Sequence, residues 1–177
     1  MKMDLQEVTY RRAEISDIDR ILTVFADARE FLRNCGVDQW QDGFPDRQTI
    51  SDDINSAEAF VLTDRNMIIG FFVLSLIPEV SYAKIKGEGW LNDDDGYAVI
   101  HRAAISSSHR GRGISAAIFS VCEQKAKHHG MRSIRIDTHK DNALMRHLII
   151  RNGYTYFGII RLTRDDSERV AFEKLLI

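Results

Sequence analysis

The sequence predicts an α/β fold: a single domain, residues 1–177, built on a mixed, mostly antiparallel sheet flanked by helices. Three observations predict it. At 177 residues, 44% hydrophobic and 28% charged with both signs interspersed, the chain suits one ordinary domain with a sizeable core. Its apolar residues switch repeatedly between short strand-like runs and helical spacing, in the order β-α-α-β-β-β-α-β-α-β-β. A strand-helix-strand crossover between Tyr97 and Thr138 stands among hairpins, so parallel and antiparallel neighbours must share the sheet.

Glu7 to Ala13 can form the first strand, and Ser16 with Asp17 and Asp19 reads as a helix start with acids at its positive end. Ile18, Ile21, Leu22, Phe25, Ala28 and Leu32 then recur at helical spacing, and Gly36 stops the helix. Gln39 to Pro45 is irregular, with two aromatics among polar residues, and Asp46 to Ala57 reads as a second helix. Ala59 to Thr63 and Met67 to Ile77 make a hairpin turning at Asp64-Arg65-Asn66. Pro78 to Asp95 is expected to be an extended loop or a protruding strand pair. Tyr97 to Ile105 reads as a central strand. Ile114, Ala117, Ile118, Val121 and Cys122 mark the buried stripe of the next helix, which Gly130 ends. Ser133 to Thr138 is a strand, Asn142 to Arg151 a helix closed by Asn152-Gly153, and Tyr154 to Leu162 with Arg169 to Leu176 the last two strands.

The stretch that carries chemistry joins the central strand to the third helix at Arg110-Gly111-Arg112-Gly113. Two glycines let the backbone approach an anion closely, and the first helical turn offers N–H groups at the positive end of the dipole. Arg110 and Arg112, with His109 beside them, can add full charges. Such a loop suits a ligand that carries phosphates.

Gly111-x-Gly113-x-x-Ala116 also satisfies a dinucleotide fingerprint, and Asp137 ends the next strand about 20 residues on, where a ribose-binding acid would stand. Several features oppose that reading. Ser106 to Arg110 separate the glycines from the strand, the unit lies late in the chain, and too little sequence follows Asp137 for the other half of a doubly wound sheet. His101 and Arg102 also suit poorly a strand buried on both faces. A Walker-type loop fails because neither Lys-Ser nor Lys-Thr follows the glycines.

Arg110-Gly111-Arg112-Gly113-Ile114-Ser115 resembles the coenzyme A loop of the GNAT superfamily of acyl-CoA-dependent N-acyltransferases. That pattern is Gln or Arg, any two residues, Gly, any residue, then Gly or Ala. Ser115 departs from the last position but is still small. The resemblance covers nearly the whole chain, including Asn142, Leu148, Arg151, Gly153 and Tyr154 in the helix and strand that follow. It implies that the strand before the loop splays from the next strand and leaves a cleft for acetyl-CoA. It implies further that the backbone of Ala103, Ala104 and Ile105 pairs with the pantetheine arm, that N–H groups of Arg110, Gly111, Arg112, Gly113, Ile114 and Ser115 hold the pyrophosphate, and that Asn142 touches the coenzyme. The reaction implied is direct attack of a primary amine, on a small molecule or a peptide, upon the thioester in a ternary complex. Dimers are common in the family.

His101 is the candidate base. On a regular strand it shares a face with Tyr97, Val99, Ala103 and Ile105. Arylalkylamine acetyltransferases of the superfamily place a histidine at the corresponding step, and an imidazole's ordinary pKa of about 6.5 suits the task. The alternative is a satisfied rim histidine, with Glu88 acting through water. The family often has a tyrosine seven residues after the helix asparagine, a position held here by Ile149. Tyr154, Tyr156 or water must then protonate the leaving thiolate. The same departure also fits a non-catalytic domain that binds coenzyme A for regulation. Trp40, Phe44 and Trp90 fall where the family builds its acceptor pocket, although tryptophans also cap cores.

The remaining features exclude more than they assign. A formal net charge of −2 gives no broad basic surface, which disfavours nucleic acid. No stretch is long and apolar enough to cross a bilayer, and Cys35 and Cys122 fit neither a disulfide framework nor a metal site. A cytoplasmic protein without metal is expected. Asp93-Asp94-Asp95 could attract a cationic amine or form a solvated turn. His128-His129 suits a helix C-terminus better than a metal.

Overall fold

The computed structural model describes residues 8–92 and 96–177. Glu7, expected to open the first strand, and the acidic run Asp93-Asp94-Asp95 lie outside the described residues. Internal contacts divide the chain into two compact units, one of residues up to Leu74 with Arg102–Ser115, the other of Ser75–His101 with Ala116–Ile177.

The first unit contains β1 (Val8–Arg12), α1 (Ile18–Asn34), α2 (Arg47–Asn55), β2 (Ala59–Asp64) and nearly all of β3 (Met67–Ser75). β1 pairs antiparallel with β2 and β2 with β3. The helical stripe legible in the sequence buries Ile18, Ile21, Phe25 and Ala28 against Val61, Phe71 and Val73; Val24, outside that stripe, joins them, and Leu22 is only partly buried. Each of the Ile, Val and Phe side chains contributes about 1.5–3 kcal/mol by leaving water. The end of β5 (Tyr97–Ile105) joins this core through Ala104, and the Ser106 N–H donates to the Ile69 carbonyl at 2.8 Å. β3 stops at Ser75 rather than Ile77 because the Ser75 hydroxyl takes the Ile77 N–H at 3.2 Å and turns the chain.

A capping arrangement opens α1. Asp17, at the end of a single 3₁₀ turn, accepts the Glu14 N–H at 2.8 Å and both guanidinium nitrogens of Arg11, at 2.7 and 2.9 Å. The Arg11 hydrogen bonds hold the Asp17 carboxyl below its usual range against the opposing effect of burial. A carboxyl with a depressed folded pKa contributes stability above its unfolded pKa and loses it as pH falls through the folded one. Asp17→Asn is therefore expected to cost about 1 kcal/mol at pH 7, discounted because Arg11 is half exposed, with the gap to the parent closing in acid as the carboxyl takes up its proton. Urea unfolding at neutral and acid pH checks it.

The second unit contains β4 (Lys86–Gly87), the first half of β5, most of α3 (Ile114–His128), β6 (Ser133–Thr138), α4 (Ala143–Arg151), β7 (Thr155–Arg161) and β8 (Glu168–Leu175). β5 pairs parallel with β6, whereas β6–β8, β8–β7 and β7–β4 are antiparallel. Among the described residues the two units thus carry the mixed, mostly antiparallel strand pairing and the four helices that the sequence predicts. The segment after Pro78 forms a 3₁₀ turn (Val80–Ala83) and the two-residue β4, which pairs with β7 rather than with a strand of its own. Tyr82, Tyr97, Val99, Ile160 and Ala171 form this unit's apolar cluster.

β5 is not a regular strand. Arg102 has φ +51°, a left-handed conformation that costs a non-glycine residue of order 1 kcal/mol or more. This corrects the expectation that His101 shares one unbroken face with Ala103 and Ile105, because a residue out of the pleat interrupts the alternation. The conformation is held by the Asp53 carboxylate, which takes Arg102 Nε at 2.7 Å and Nη2 at 2.5 Å. Burial lifts the Asp53 carboxyl above its usual range even so, with the Arg102 charge opposing.

Candidate active site

The glycine loop has the conformation its sequence requires. Gly111 and Gly113 take φ +74° and +79°, left-handed values that a side chain would strain, and α3 begins at Ile114. The loop thus delivers the first-turn N–H groups of α3, Ile114 and Ser115 included, at a helix N-terminus. Its approach is anchored on α1. Asp27 Oδ2 accepts the Ser107 N–H at 3.2 Å and hydroxyl at 3.1 Å, and the Asp27 carbonyl accepts Arg110 Nη2 at 3.0 Å. The Arg110 guanidinium lies 4.4 Å from the centre of the Phe31 ring, and burial lowers its pKa from the ordinary value.

Two charges expected around an anion therefore serve the loop instead. Arg110 is committed to α1 through its side chain. His109 is buried, its Nδ1 2.8 Å from the Ser108 hydroxyl and its Nε2 3.4 Å from Asp64 Oδ2. Arg112 remains exposed. Alanine at Gly111 or Gly113 would meet nothing within 4 Å, so the cost falls on the backbone alone, about 1–2 kcal/mol for each left-handed position. Gly113→Ala is expected to leave the fold intact and weaken binding of a phosphate-bearing ligand at the loop about tenfold, as measured by calorimetric titration.

In the second unit the parallel ladder between β5 and β6 runs from Tyr97↔Ser133 to Ile100↔Ile136 and ends there. His101 is the next residue. β6 continues against β8 alone, through Asp137↔Ala171 and Thr138↔Val170. The Asp137 carboxylate, the ribose-binding acid of the dinucleotide look-alike, accepts the Tyr82 hydroxyl at 2.8 Å. Burial, then Asp137, raises the Tyr82 pKa well above its ordinary value, so this hydroxyl stays protonated.

His101 faces a carboxylate the sequence reading missed. Its Nε2 lies 3.6 Å from Glu79 Oε2, with both side chains partly buried. Glu79 is fixed from two sides: its N–H donates to the Tyr97 hydroxyl at 3.0 Å, and its Oε1 accepts the Ser81 N–H at 3.0 Å. Glu88, the alternative base, instead has an exposed side chain beside β4, its N–H spent on the Phe157 carbonyl at 3.0 Å. Nothing in the local pattern distinguishes Glu79 from Glu88, because the selection is made by Tyr97, 18 residues further on.

The other expected residues take the following places. Asn142 caps α4, its Oδ1 accepting the Met145 N–H at 3.1 Å. Ile149 is fully buried. Tyr154 is buried between the Phe119 ring, 5.4 Å between centroids, and Lys174 Nζ, 5.6 Å from its own ring centre. Burial, then the Glu123 charge, raises its pKa far above the ordinary value. This corrects the expectation of Tyr154 as an acid: a hydroxyl packed into the interior cannot trade protons readily with a ligand. Trp40 packs edge-on against Phe25, 5.3 Å between centroids, in the core of the first unit, with Phe44 in the irregular segment after it. Trp90 belongs to the second unit, where its indole N–H donates to the Tyr82 carbonyl at 2.9 Å. Cys122 is buried on α3 and its thiol is pushed up by burial, as befits a core residue. Among the described residues no cluster of three His, Cys, Asp or Glu could hold a metal, and no helix is long and apolar enough to cross a membrane.

A family model described as "Acetyltransferase (GNAT) family" matches residues 25–154. A GNAT-family acetyltransferase of Streptococcus agalactiae is similar in structure, with TM-score 0.85, 32% sequence identity and 96% of each chain covered. The PaiA N-acetyltransferase of Thermoplasma acidophilum, solved in complex with coenzyme A, has TM-score 0.73 at 14% identity over 95% of this chain and 98% of its own. YncA of Salmonella typhimurium, solved with its cofactor acetyl-CoA, has TM-score 0.67 at 14% identity over 97% of this chain and 95% of its own. No curated protein sequence matches the chain.

Proposed function

Because this chain belongs to the GNAT family of acetyltransferases, we propose that it transfers an acetyl group from acetyl-CoA to a primary amine by direct attack in a ternary complex. The observation that carries the reading is the loop from Arg110 to Gly113, with two left-handed glycines at the N-terminus of α3. An anion at that place gains hydrogen bonds and dipole stabilisation without any metal ion. The coenzyme complexes of the Thermoplasma and Salmonella proteins support a coenzyme A ligand by analogy of fold.

In this reading N–H groups of residues 110–115 hold the pyrophosphate, the backbone of Ala103, Ala104 and Ile105 pairs with the pantetheine arm, and Asn142 contacts the coenzyme while capping α4. His101 takes a proton from the substrate ammonium, and the neutral nitrogen forms the new C–N bond. An N–H near Ile105 donates to the oxyanion, and the C–S bond breaks as the carbonyl reforms. Ile149 carries no acidic proton and Tyr154 is buried, so the thiolate takes up the proton that the attacking nitrogen sheds on forming the amide, relayed by water or by the exposed Tyr156. A thiol of ordinary pKa, about 8.5, makes that step undemanding.

The test is release of free thiol from acetyl-CoA across a panel of primary amines, with acetylated product confirmed by mass. The reading expects thiol and acetylated amine in equal amounts. The alternative, a coenzyme A-binding domain without transfer, expects acetyl-CoA to bind and no amine to release thiol.

A further inference from the structure

Beside His101 the second unit holds a cavity of about 680 Å³. That volume is within the range of small-ligand sites, roughly 300–1,000 Å³. Its wall is formed by residues of the segment Pro78 to Ile85 other than Ser81, by Gly89, Trp90 and Asn92, and by Tyr97 and Arg135. The rings pack together: Tyr82 and Trp90 are 5.1 Å apart, Tyr82 and Tyr97 6.4 Å. Arg135 closes one side, its guanidinium 3.7 Å from the Tyr97 ring centre and 4.2 Å from that of Trp90.

The charges lining this cavity do not weigh equally. Arg135 is already neutralised, because Glu173, fully buried, accepts its Nε at 3.0 Å and lies behind it. Lys84 is exposed and its ammonium can stay in water. Glu79 is the remaining charge on the wall, and it is held in place by the Tyr97 hydroxyl and the Ser81 N–H. Its other oxygen faces His101 at 3.6 Å. One carboxylate thus touches both the cavity and the residue proposed as base. Asn92 adds a buried side-chain N–H₂ with no hydrogen-bond partner among the described residues, a donor awaiting an acceptor.

We propose that this cavity is the acceptor site, and that it takes a primary ammonium carried on a flat, apolar body, with Glu79 as its specificity-determining anchor. The aromatic walls take the body, the Glu79 carboxylate takes the ammonium, and His101 receives the proton that the amine must lose before it attacks. A polycationic chain fits less well, because among the described residues Glu79 is the one carboxylate on the wall and Arg135 already occupies faces of Tyr97 and Trp90, which leaves a second or third ammonium without a partner. The proposal rests on the transferase reading given above.

The test uses the intact protein with 2-phenylethylamine and spermidine as probes. Glu79→Gln keeps an oxygen for the Ser81 N–H and removes only the charge. The expected result is a preference of at least tenfold in kcat/KM for 2-phenylethylamine over spermidine in the parent. Glu79→Gln should raise the KM for 2-phenylethylamine at least tenfold and leave the acetyl-CoA dissociation constant within twofold. Trp90→Leu should weaken the same amine by a similar factor. Equal use of both amines, or an unchanged KM in Glu79→Gln, overturns the proposal. The transferase reading fails separately, by the absence of thiol release across the whole amine panel; should the parent transfer to neither of these two amines, the cavity is judged by equilibrium binding of 2-phenylethylamine. Binding weakened by Glu79→Gln supports the site, and absence of binding overturns it.

Discussion

His101→Ala is expected to lower kcat about 100- to 1,000-fold and to leave acetyl-CoA affinity within twofold, since general base catalysis contributes effects of about 10²–10⁴. The split between the two quantities is the informative part. His101 stands where the β5–β6 ladder has ended and before the left-handed Arg102, so its side chain can be removed without breaking a strand pair with β6. The loop proposed to hold the coenzyme lies further along the chain and is anchored independently by Asp27 on α1. A variant that loses coenzyme binding and turnover together would give His101 a structural role. A variant with unchanged kcat would remove it from the mechanism. His101→Gln separates the two further: it can still hydrogen bond but cannot carry a proton through the reaction.

Glu173→Ala is expected to destabilise the protein by about 3–5 kcal/mol, the cost of stranding a buried charge. Glu173 is fully buried, and its oxygens accept the Ser133 hydroxyl at 2.6 Å, Arg135 Nε at 3.0 Å and the Leu91 N–H at 2.6 Å. Without it Arg135, itself almost fully buried, keeps the Asn92 carbonyl and the two aromatic faces but has lost its counter-charge. A domain of this size shifts in Tm by about 2–4 °C per kcal/mol, so a fall of roughly 6–20 °C is expected in a thermal melt. Replacing both partners, Arg135→Met with Glu173→Leu, should recover most of the loss, because a buried pair contributes little beyond an apolar one of similar volume. A single-variant loss below about 1 kcal/mol would mean that water reaches the pair.

How much of this was legible in the sequence depends on the range of the interaction. β5, β6 and the start of α3 fall at the expected residues because alternating apolar runs and a glycine loop are local signals. α1 follows from helical spacing for the same reason, and Asn142 reveals itself as a cap once α4 is placed. The sequence reading failed where a distant residue decides. Glu88 and Glu79 both sit in a segment without periodicity, and the latter is held beside His101 by the distant Tyr97 hydroxyl on its N–H together with the Ser81 N–H on its carboxylate. Arg110 looked like an anion ligand because of its neighbours, yet Phe31 and Asp27, some 80 residues earlier, claim its side chain. The left-handed conformation of Arg102 has no sequence signal of its own, since arginine is not a residue that favours φ above zero, and the partner that holds it is Asp53 on α2. Tyr154 matched a family position, but its neighbours Phe119 and Lys174 bury it.

The central claim is that the Arg110–Gly113 loop holds the phosphates of acetyl-CoA, and it is tested most directly by thermal stability with acetyl-CoA, desulfo-coenzyme A and NAD. A ligand at about 100 times its dissociation constant adds roughly 2.7 kcal/mol, which should raise Tm by about 5–10 °C. The account predicts that rise with both coenzyme A forms and none with NAD. A rise with NAD alone, or with neither coenzyme A form, would contradict it.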